Sequence, residues 1–440
     1  MLPRYWLPDT GNWYTAIMQP HSIYLHIPFC QHRCSYCDFN TYAGLENLIF
    51  AYAQALRHEI KYVAATLDAK LPVHTIFFGG GTPSLLSAED LASILKTLHT
   101  SFDVFPDAEI SLEANPGTLS AAYLTELRNL GINRLSLGMQ SAHPDELKFL
   151  ERIHDYMDVV EAVTWARQAG FDNLSLDLIF GLPEQQTQTW VDSLQRALAL
   201  APEHFSLYAL TLEHGTPLGS WAARGLIPEP DPDRAADMYE LAAKMLAQVG
   251  YTQYEISNWA RKNEKGRMKD EQRMDIEAQS PIAIRQSLFE CRHNLQYWRN
   301  QPYLGFGAGG HGFVNGMRTV NVLSPKSYIQ RLSKLNFSTS SGQALQHSTD
   351  DFPRTPATIE ANPIDRETEM RETMMMGLRL TREGVSKARF QTRFGLSMRE
   401  QFAEPIQQLV EWELLCWEND TLRLTPRGRL LGNQVFMQFV

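Results

Sequence analysis

The first 260 residues alternate short apolar, β-branched runs with amphipathic stretches of helical period. Six runs read as strands: Ser22–His26, Thr75–Phe78, Glu109–Glu113, Arg134–Gly138, Leu174–Ile179 and Phe205–Leu210. Between them Leu91, Ile94, Leu95 and Leu98 fall at i, i+3, i+4 and i+7, and Leu56, Ile60, Val63 and Leu67 nearly do. That spacing puts the apolar side chains on one stripe of a helix. Alternating strands and helices predict a parallel sheet with right-handed crossovers. Six such units close most of a barrel but not a full eight. The expected fold class is α/β, a partial (β/α)6 barrel over residues 21–260.

The pattern breaks at Arg261–Glu290, where Lys262, Glu264, Lys265, Arg267, Lys269, Asp270, Glu271 and Arg273 crowd together with little periodicity. Residues 261–290 read as an exposed charged insertion. Residues 291–337 read as an extension of the core, and 338–365, rich in Ser, Thr, Pro and Asp, as a linker. From 366 to 440 the pattern predicts helices at Glu367–Leu380 and Arg399–Trp412. Strands Leu414–Trp417 and Thr421–Leu424 follow around Asn419 and Asp420, then a helix from Pro426. This is a C-terminal α+β domain of winged-helix-like pattern. Residues 1–20 form an aromatic, proline-containing N-terminal extension without the basic and apolar regions of a secretory signal.

At 440 residues, two domains are the default expectation. A net charge of −10 argues against a nucleic-acid partner, whose binding surface is usually basic. No run of about eighteen apolar residues is present, so no integral membrane segment is expected. Of 5 cysteines, Cys30, Cys34 and Cys37 lie in one loop. An odd, clustered set makes no disulfide framework, and the expected location is the reducing cytoplasm.

Grouped thiolates hold soft metals, iron–sulfur clusters among them. A cubane takes four ligands, so three from the protein leave one iron open to another ligand. Zinc is the alternative, with His32 completing Cys-x-His-x-Cys-x2-Cys, although structural zinc ligands usually come as two spaced pairs. Directly after the second strand runs Phe78-Gly79-Gly80-Gly81-Thr82-Pro83. Three glycines let backbone N–H groups approach a ligand closely. The run matches neither Gly-x-Gly-x-x-Gly nor the P-loop.

Tyr24-x-His26-Ile27-Pro28-Phe29-Cys30-x3-Cys34-x2-Cys37 with Gly79-Gly80-Gly81-Thr82-Pro83 resembles the radical S-adenosylmethionine (SAM) superfamily. Glu113-Ala114-Asn115-Pro116-Gly117, Gly131–Ser141 and Asp177–Pro183 continue the likeness. From about residue 21 to the C-terminus, minus the insertion, the chain is similar to the oxygen-independent coproporphyrinogen III oxidase-like family. The resemblance implies a [4Fe-4S] cluster on Cys30, Cys34 and Cys37, with SAM on the fourth iron. It implies SAM contacts from Tyr24, Tyr36, Gly80, Gly81, Thr82, Glu113, Gln140, Arg152 and Asp177. Arg152 would pair with the SAM carboxylate, Asp177 with ribose hydroxyls, and the glycine turn with the methionyl end. Helix capping or hydrogen bonding at the barrel rim is the plainer role for Glu113, Gln140 and Asp177.

Two features separate the branches of that family. Its oxidases typically carry a cysteine two positions after the third cluster ligand, whereas Cys37-Asp38-Phe39-Asn40 has none. His293-Asn294-Leu295-Gln296-Tyr297-Trp298 matches the motif associated with heme in the HemW-type heme chaperones. The resemblance therefore implies a chaperone that binds heme and passes it to an acceptor protein. Flavodoxin or ferredoxin is the implied electron donor. The alternative is a true oxidase, decarboxylating coproporphyrinogen III. His293, Tyr297 and Trp298 are the candidate heme residues, with Cys291 and His311 as alternative ligands; a hydrogen-bonded, buried histidine is the competing role for His293. Met374–Met376 read as core, as does Cys416.

Overall fold

The computed structural model describes residues 20–262, 289–335 and 352–440, plus two short strands at Tyr5–Trp6 and Trp13–Tyr14. Most of the N-terminal extension, nearly all of the insertion read at 261–290, and 338–351 of the linker lie outside the described residues.

All six expected strands form: β1 (His21–Ile27), β2 (Pro72–Gly80), β3 (Asp103–Ala114), β4 (Arg134–Gln140), β5 (Leu174–Phe180) and β6 (His204–Ala209). Each pairs parallel with the next. Alternation along each strand sorts its side chains. On β4, Leu135, Leu137 and Met139 are fully buried against the outer helices, while Ser136, Gly138 and Gln140 line the interior cavity. The helical stripe Leu91, Ile94, Leu95 and Leu98 lies buried on the helix Ala88–Ser101. Leu67 falls two residues beyond the helix Ile49–Ala65 that carries Leu56, Ile60 and Val63.

The sheet does not close. Its order is β7-β8-β6-β5-β4-β3-β2-β1-β9-β10-β11-β12, with β7 at Tyr251–Glu255, β8 at Asn258–Arg261, β9 at Tyr303–Phe306, β10 at His311–Val314, β11 at Met317–Asn321 and β12 at Thr358–Pro363. Thus β9 runs parallel beside β1, and β10 to β12 continue antiparallel beyond it. Strand β12 corrects the linker reading of 338–365. Its polar residues suit an edge strand, and β11 supplies its backbone partners.

One buried carboxylate joins this extension to the barrel. Glu59, on the helix Ile49–Ala65, accepts from Gly307 N (2.9 Å), Tyr328 Oη (2.6 Å), Asn321 Nδ2 (2.7 Å) and Thr355 Oγ1 (2.9 Å). Burial raises its pKa, and these four donors oppose that shift.

The C-terminal unit has its own core of Met374, Leu378, Phe390, Phe394, Leu409, Leu422 and Phe439. Strands Val385–Ser386, Thr421–Leu424 and Leu415–Glu418 form its antiparallel sheet. The single helix expected at Arg399–Trp412 is two, Met398–Gln401 and Ala403–Glu411, broken at Phe402. Pro405 explains the break, because its ring excludes a continuous helix through the Gln401 carbonyl. A helix at Lys387–Phe394 was not expected, although it has a Ser386 N-cap and a left-handed Gly395 C-cap. Cys416 is half-buried rather than core.

Replacing Glu59 with Ala strands four buried donors. The expected loss is about 3 kcal/mol of stability, read as a lower urea midpoint. An unchanged midpoint would contradict the joining role.

Candidate functional site

The thiol loop and the glycine turn gather at the C-terminal ends of the strands, the usual active face of parallel α/β barrels. The loop after β1 bears the three thiols, and the glycine turn after β2 is stitched to it. Gly81 N donates to Ile27 O (2.8 Å) and Thr82 N to Phe29 O (2.7 Å). A Cβ at Gly81 would lie 2.6 Å from Phe29 O, and one at Gly80, where φ is +113°, would lie 2.5 Å from the His26 ring. Close approach of the two loops therefore demands glycine. These contacts correct the expected roles of Gly80, Gly81 and Thr82. Their N–H groups already serve Glu113 Oε2 (2.9 Å), Ile27 O and Phe29 O, so they hold the loop rather than offer donors to a ligand.

Cys30, Cys34 and Cys37 all line one cavity of about 630 Å3. Cys30 Sγ lies 3.6 Å from Thr82 Oγ1, Cys37 Sγ 3.7 Å from Thr41 Oγ1, and Cys34 Sγ 3.5 Å from Arg152 Nη1. Burial pushes the Cys30 and Cys37 thiols up, so a bound metal would have to ionise them. The zinc alternative fits poorly. His32 is half-exposed and faces Glu151 at 3.6 Å. Among the described residues no three His, Cys, Asp or Glu side chains converge as a single ion requires. A cubane, whose thiolates sit on separate irons, asks for no such convergence.

The cavity walls hold the other expected residues. Arg152 donates to Gly138 O (2.9 Å) as well as Cys34, and its buried Nε has no partner among the described residues. A Cβ at Gly138 would collide with Gln140 Nε2 and crowd Arg152 Nη2, at 2.9 and 3.1 Å. Gln140 itself holds φ +62°, a strained backbone at the end of β4. Burial raises the Glu113 carboxyl to about 7, with Gly80 N–H pulling down and Asp177 pushing up. Asp177 sits in the middle of β5 rather than at its end, a correction to the expected rim position. It accepts from Ser136 (2.9 and 3.0 Å) and Ser175 (3.2 Å). Tyr36 lies beside Arg152 and Cys34, and burial raises its hydroxyl against the pull of Arg152.

The HNxxYW motif lies at the opposite end of the barrel. Its helix, Arg292–Trp298, begins over Glu109 near the start of the sheet, where Glu109 accepts from Arg292 N and His293 N, both at 3.1 Å. His293 is buried with both ring nitrogens engaged, Nδ1 to Thr75 Oγ1 (2.8 Å) and Nε2 to Tyr297 Oη (2.9 Å). Burial first, then His74, lowers its pKa to about 3. A neutral ring without a free nitrogen does not fit a heme ligand, which corrects that reading. Cys291 lies buried, its Sγ 3.6 Å from Glu109, and burial pushes its thiol up to about 12. Cys291, His293 and Tyr297 line the far end of the barrel cavity, but Trp298 lies outside it. Tyr24 stands between, with its hydroxyl 3.0 Å from His26 Nδ1 and its ring 6.3 Å from that of His293.

Sequence reasoning missed Arg134, Ser175, His204, Ser206 and Tyr208, all on the cavity wall. The signal was present: on β5 and β6 the polar residues recur at every second position, facing inward.

Residues 24–197 match the model of the radical SAM superfamily, and 364–431 that of the HemN C-terminal domain. The "Heme chaperone HemW" of Bacillus subtilis (strain 168) is 36% identical over 421 residues, 95% of this chain and 99% of that protein. That of Mycobacterium tuberculosis is 36% identical over 420 residues, 95% of this chain and 94% of its own. The chain belongs to the HemW family of radical SAM proteins. A Bos taurus member, "Radical S-adenosyl methionine domain-containing protein 1, mitochondrial", is 32% identical over 428 residues, 94% of this chain and 82% of that one. Escherichia coli coproporphyrinogen III oxidase shares the fold. It has a TM-score of 0.74 and 24% identity, covering 96% of this chain and 90% of that one. The radical SAM family implies a [4Fe-4S] cluster and SAM, and the three thiols with the unpartnered Arg152 nitrogen fit that pair.

Losing the His293 ring leaves the Tyr297 hydroxyl without its partner and opens a void, while Thr75 keeps its bond to Ser22 (2.6 Å). His293→Ala should cost about 2–4 kcal/mol of stability in chemical denaturation. Wild-type stability would refute the structural role.

Proposed function

We propose that this protein is a heme chaperone that binds heme and passes it to an acceptor protein. It would carry a [4Fe-4S] cluster on Cys30, Cys34 and Cys37 with exchangeable SAM beside it. The carrying observation is the convergence of three thiols, Arg152, Glu113 and Gln140 on one cavity. Near full-length likeness to proteins named heme chaperones supports the transfer role. The cluster, when bound, supplies an open iron and a low-potential electron. A small donor such as flavodoxin or ferredoxin would deliver that electron.

The chain's own residues do the positioning. The Arg152 guanidinium, its Nε–H unpartnered among the described residues, would hold the SAM carboxylate through a charge-assisted contact. Glu113 offers a carboxylate to the cationic SAM, and Asp177, Gln140, Tyr24 and Tyr36 complete the cavity wall around the adenosyl group. Thr82 and Thr41 direct hydroxyls at the Cys30 and Cys37 sulfurs. No helix among the described residues is long and apolar enough to cross a membrane, and a cytoplasmic place of work is part of this reading.

Anaerobically reconstituted protein should bind heme stoichiometrically and release it to an apo b-type cytochrome faster than heme dissociates into buffer. With SAM, reductant and coproporphyrinogen III it should form no protoporphyrinogen. Catalytic turnover to that product would replace this reading with the oxidase one.

SAM binding should also depend on pH. A cationic ligand favours ionised Glu113, whose carboxyl titrates near 7 before binding. Affinity should rise from pH 6 to 8 and level off, being about tenfold weaker at pH 6 than on the plateau. Glu113→Gln should flatten the profile; a flat profile in the wild type would remove Glu113 from the site.

A further inference from the structure

Beside the barrel lies a second cavity of about 470 Å3, between the sheet extension and the C-terminal unit. That size falls within the usual range for ligand pockets. Tyr24, Phe39 and Tyr297 line both cavities, so one aromatic wall separates them. Tyr303, Trp298 and Met376 extend the apolar lining, and Trp298 has its buried indole nitrogen unpartnered. Met376 corrects part of the core reading of the methionine run: Met374 is buried in the C-terminal core, whereas Met376 faces this cavity. Two large hydrophobic side chains stand exposed on its lining, Phe39 at 62% and Leu323 at 50%.

The cavity also carries a free imidazole. The side chain of His311, on β10, makes no hydrogen bond or ion pair among the described residues. His26 in the same wall is engaged at both nitrogens, by Tyr24 Oη (3.0 Å) and Asn40 O (2.9 Å). His311 sits on a rigid seat. Its backbone pairs with Val320, and a Cβ at Gly305 would lie 1.7 Å from His311 O, so β9 and β10 pack as closely as glycine permits. Burial and Arg318 lower its pKa and Glu360 opposes them, leaving a neutral ring near pH 7. Arg318, also on the wall, is held by Glu372 through two bonds of 2.8 and 2.9 Å. Its guanidinium keeps further N–H donors for a carboxylate.

Flat aromatic walls, a free neutral imidazole and a cation together describe a site for an iron porphyrin with acidic side chains. We infer that heme docks in this side cleft with His311 as the axial ligand to its iron. This rests on the heme-chaperone reading and relocates the cargo from the HNxxYW motif. That motif then contributes Tyr297 and Trp298 as walls, while His293 stays in the barrel floor.

The test titrates ferric heme into the full-length, cluster-loaded protein and follows the Soret band and the ferric spin-state signals. The wild type should bind. His311→Ala should lose the imidazole-ligated spectrum of the wild type and bind at least tenfold more weakly, and added imidazole should restore that spectrum. Met376→Trp, which fills the cleft without touching His311, should also weaken binding. If His311→Ala and Met376→Trp both bind with wild-type affinity and spectrum, the side cleft is wrong and the chaperone reading stands. If the wild type binds no heme, the chaperone reading itself falls.

Discussion

Two backbone hydrogen bonds decide where the chemistry of this chain can happen: Gly81 to Ile27 and Thr82 to Phe29. They clamp the glycine turn after β2 onto the thiol-bearing loop after β1. Without a Cβ at Gly80 and Gly81 the two loops meet at backbone distance, and the loop is fixed relative to the parallel sheet. Thr82 then reaches the Cys30 sulfur, and Gly80 reaches Glu113 on the neighbouring strand. Turn, loop and acid become one rigid rim. A cluster ligated by so short a loop needs that rigidity, because displacement of one thiol by an ångström would misplace its iron.

The other end of the barrel works by the opposite logic. There most of the inward polar groups pair with one another. Glu109 caps the motif helix, His293 bridges Thr75 and Tyr297, and His204 bridges Ser175 (2.8 Å) and Tyr254 (2.9 Å). Paired groups of this kind stabilise a floor and leave no valence for a ligand. Groups free among the described residues lie at the mouth, in the Arg152 Nε, and in the side cleft, in the Trp298 indole and the His311 ring. Chemical availability, rather than residue type, separates sites from supports here.

Much of this was legible in the residues. All six barrel strands and the placement of the cysteine loop at their C-terminal end followed from apolar periodicity and motif order. So did the stripe of Leu91, Ile94, Leu95 and Leu98. What could not be read one-dimensionally was partnership. Nothing in His293-Asn294-Leu295 reveals that Thr75, more than two hundred residues earlier, takes up its Nδ1. The same holds for the glycine turn, whose donors are consumed by a loop fifty residues upstream. Strand β12 escaped because edge strands tolerate polar sequence, and Pro405 was overlooked as a helix breaker. Inward-facing Ser175, Ser206 and Tyr208 were recoverable from strand alternation alone.

The central claim is a cubane held by three sulfurs, with one corner open to SAM. Anaerobic reconstitution followed by iron and sulfide analysis, with electron paramagnetic resonance of the reduced protein, addresses it directly. About four iron and four sulfide per chain are expected, and a reduced-cluster signal that shifts when SAM is added. Zinc in place of iron and sulfide, or a signal that SAM leaves unmoved, would contradict the account.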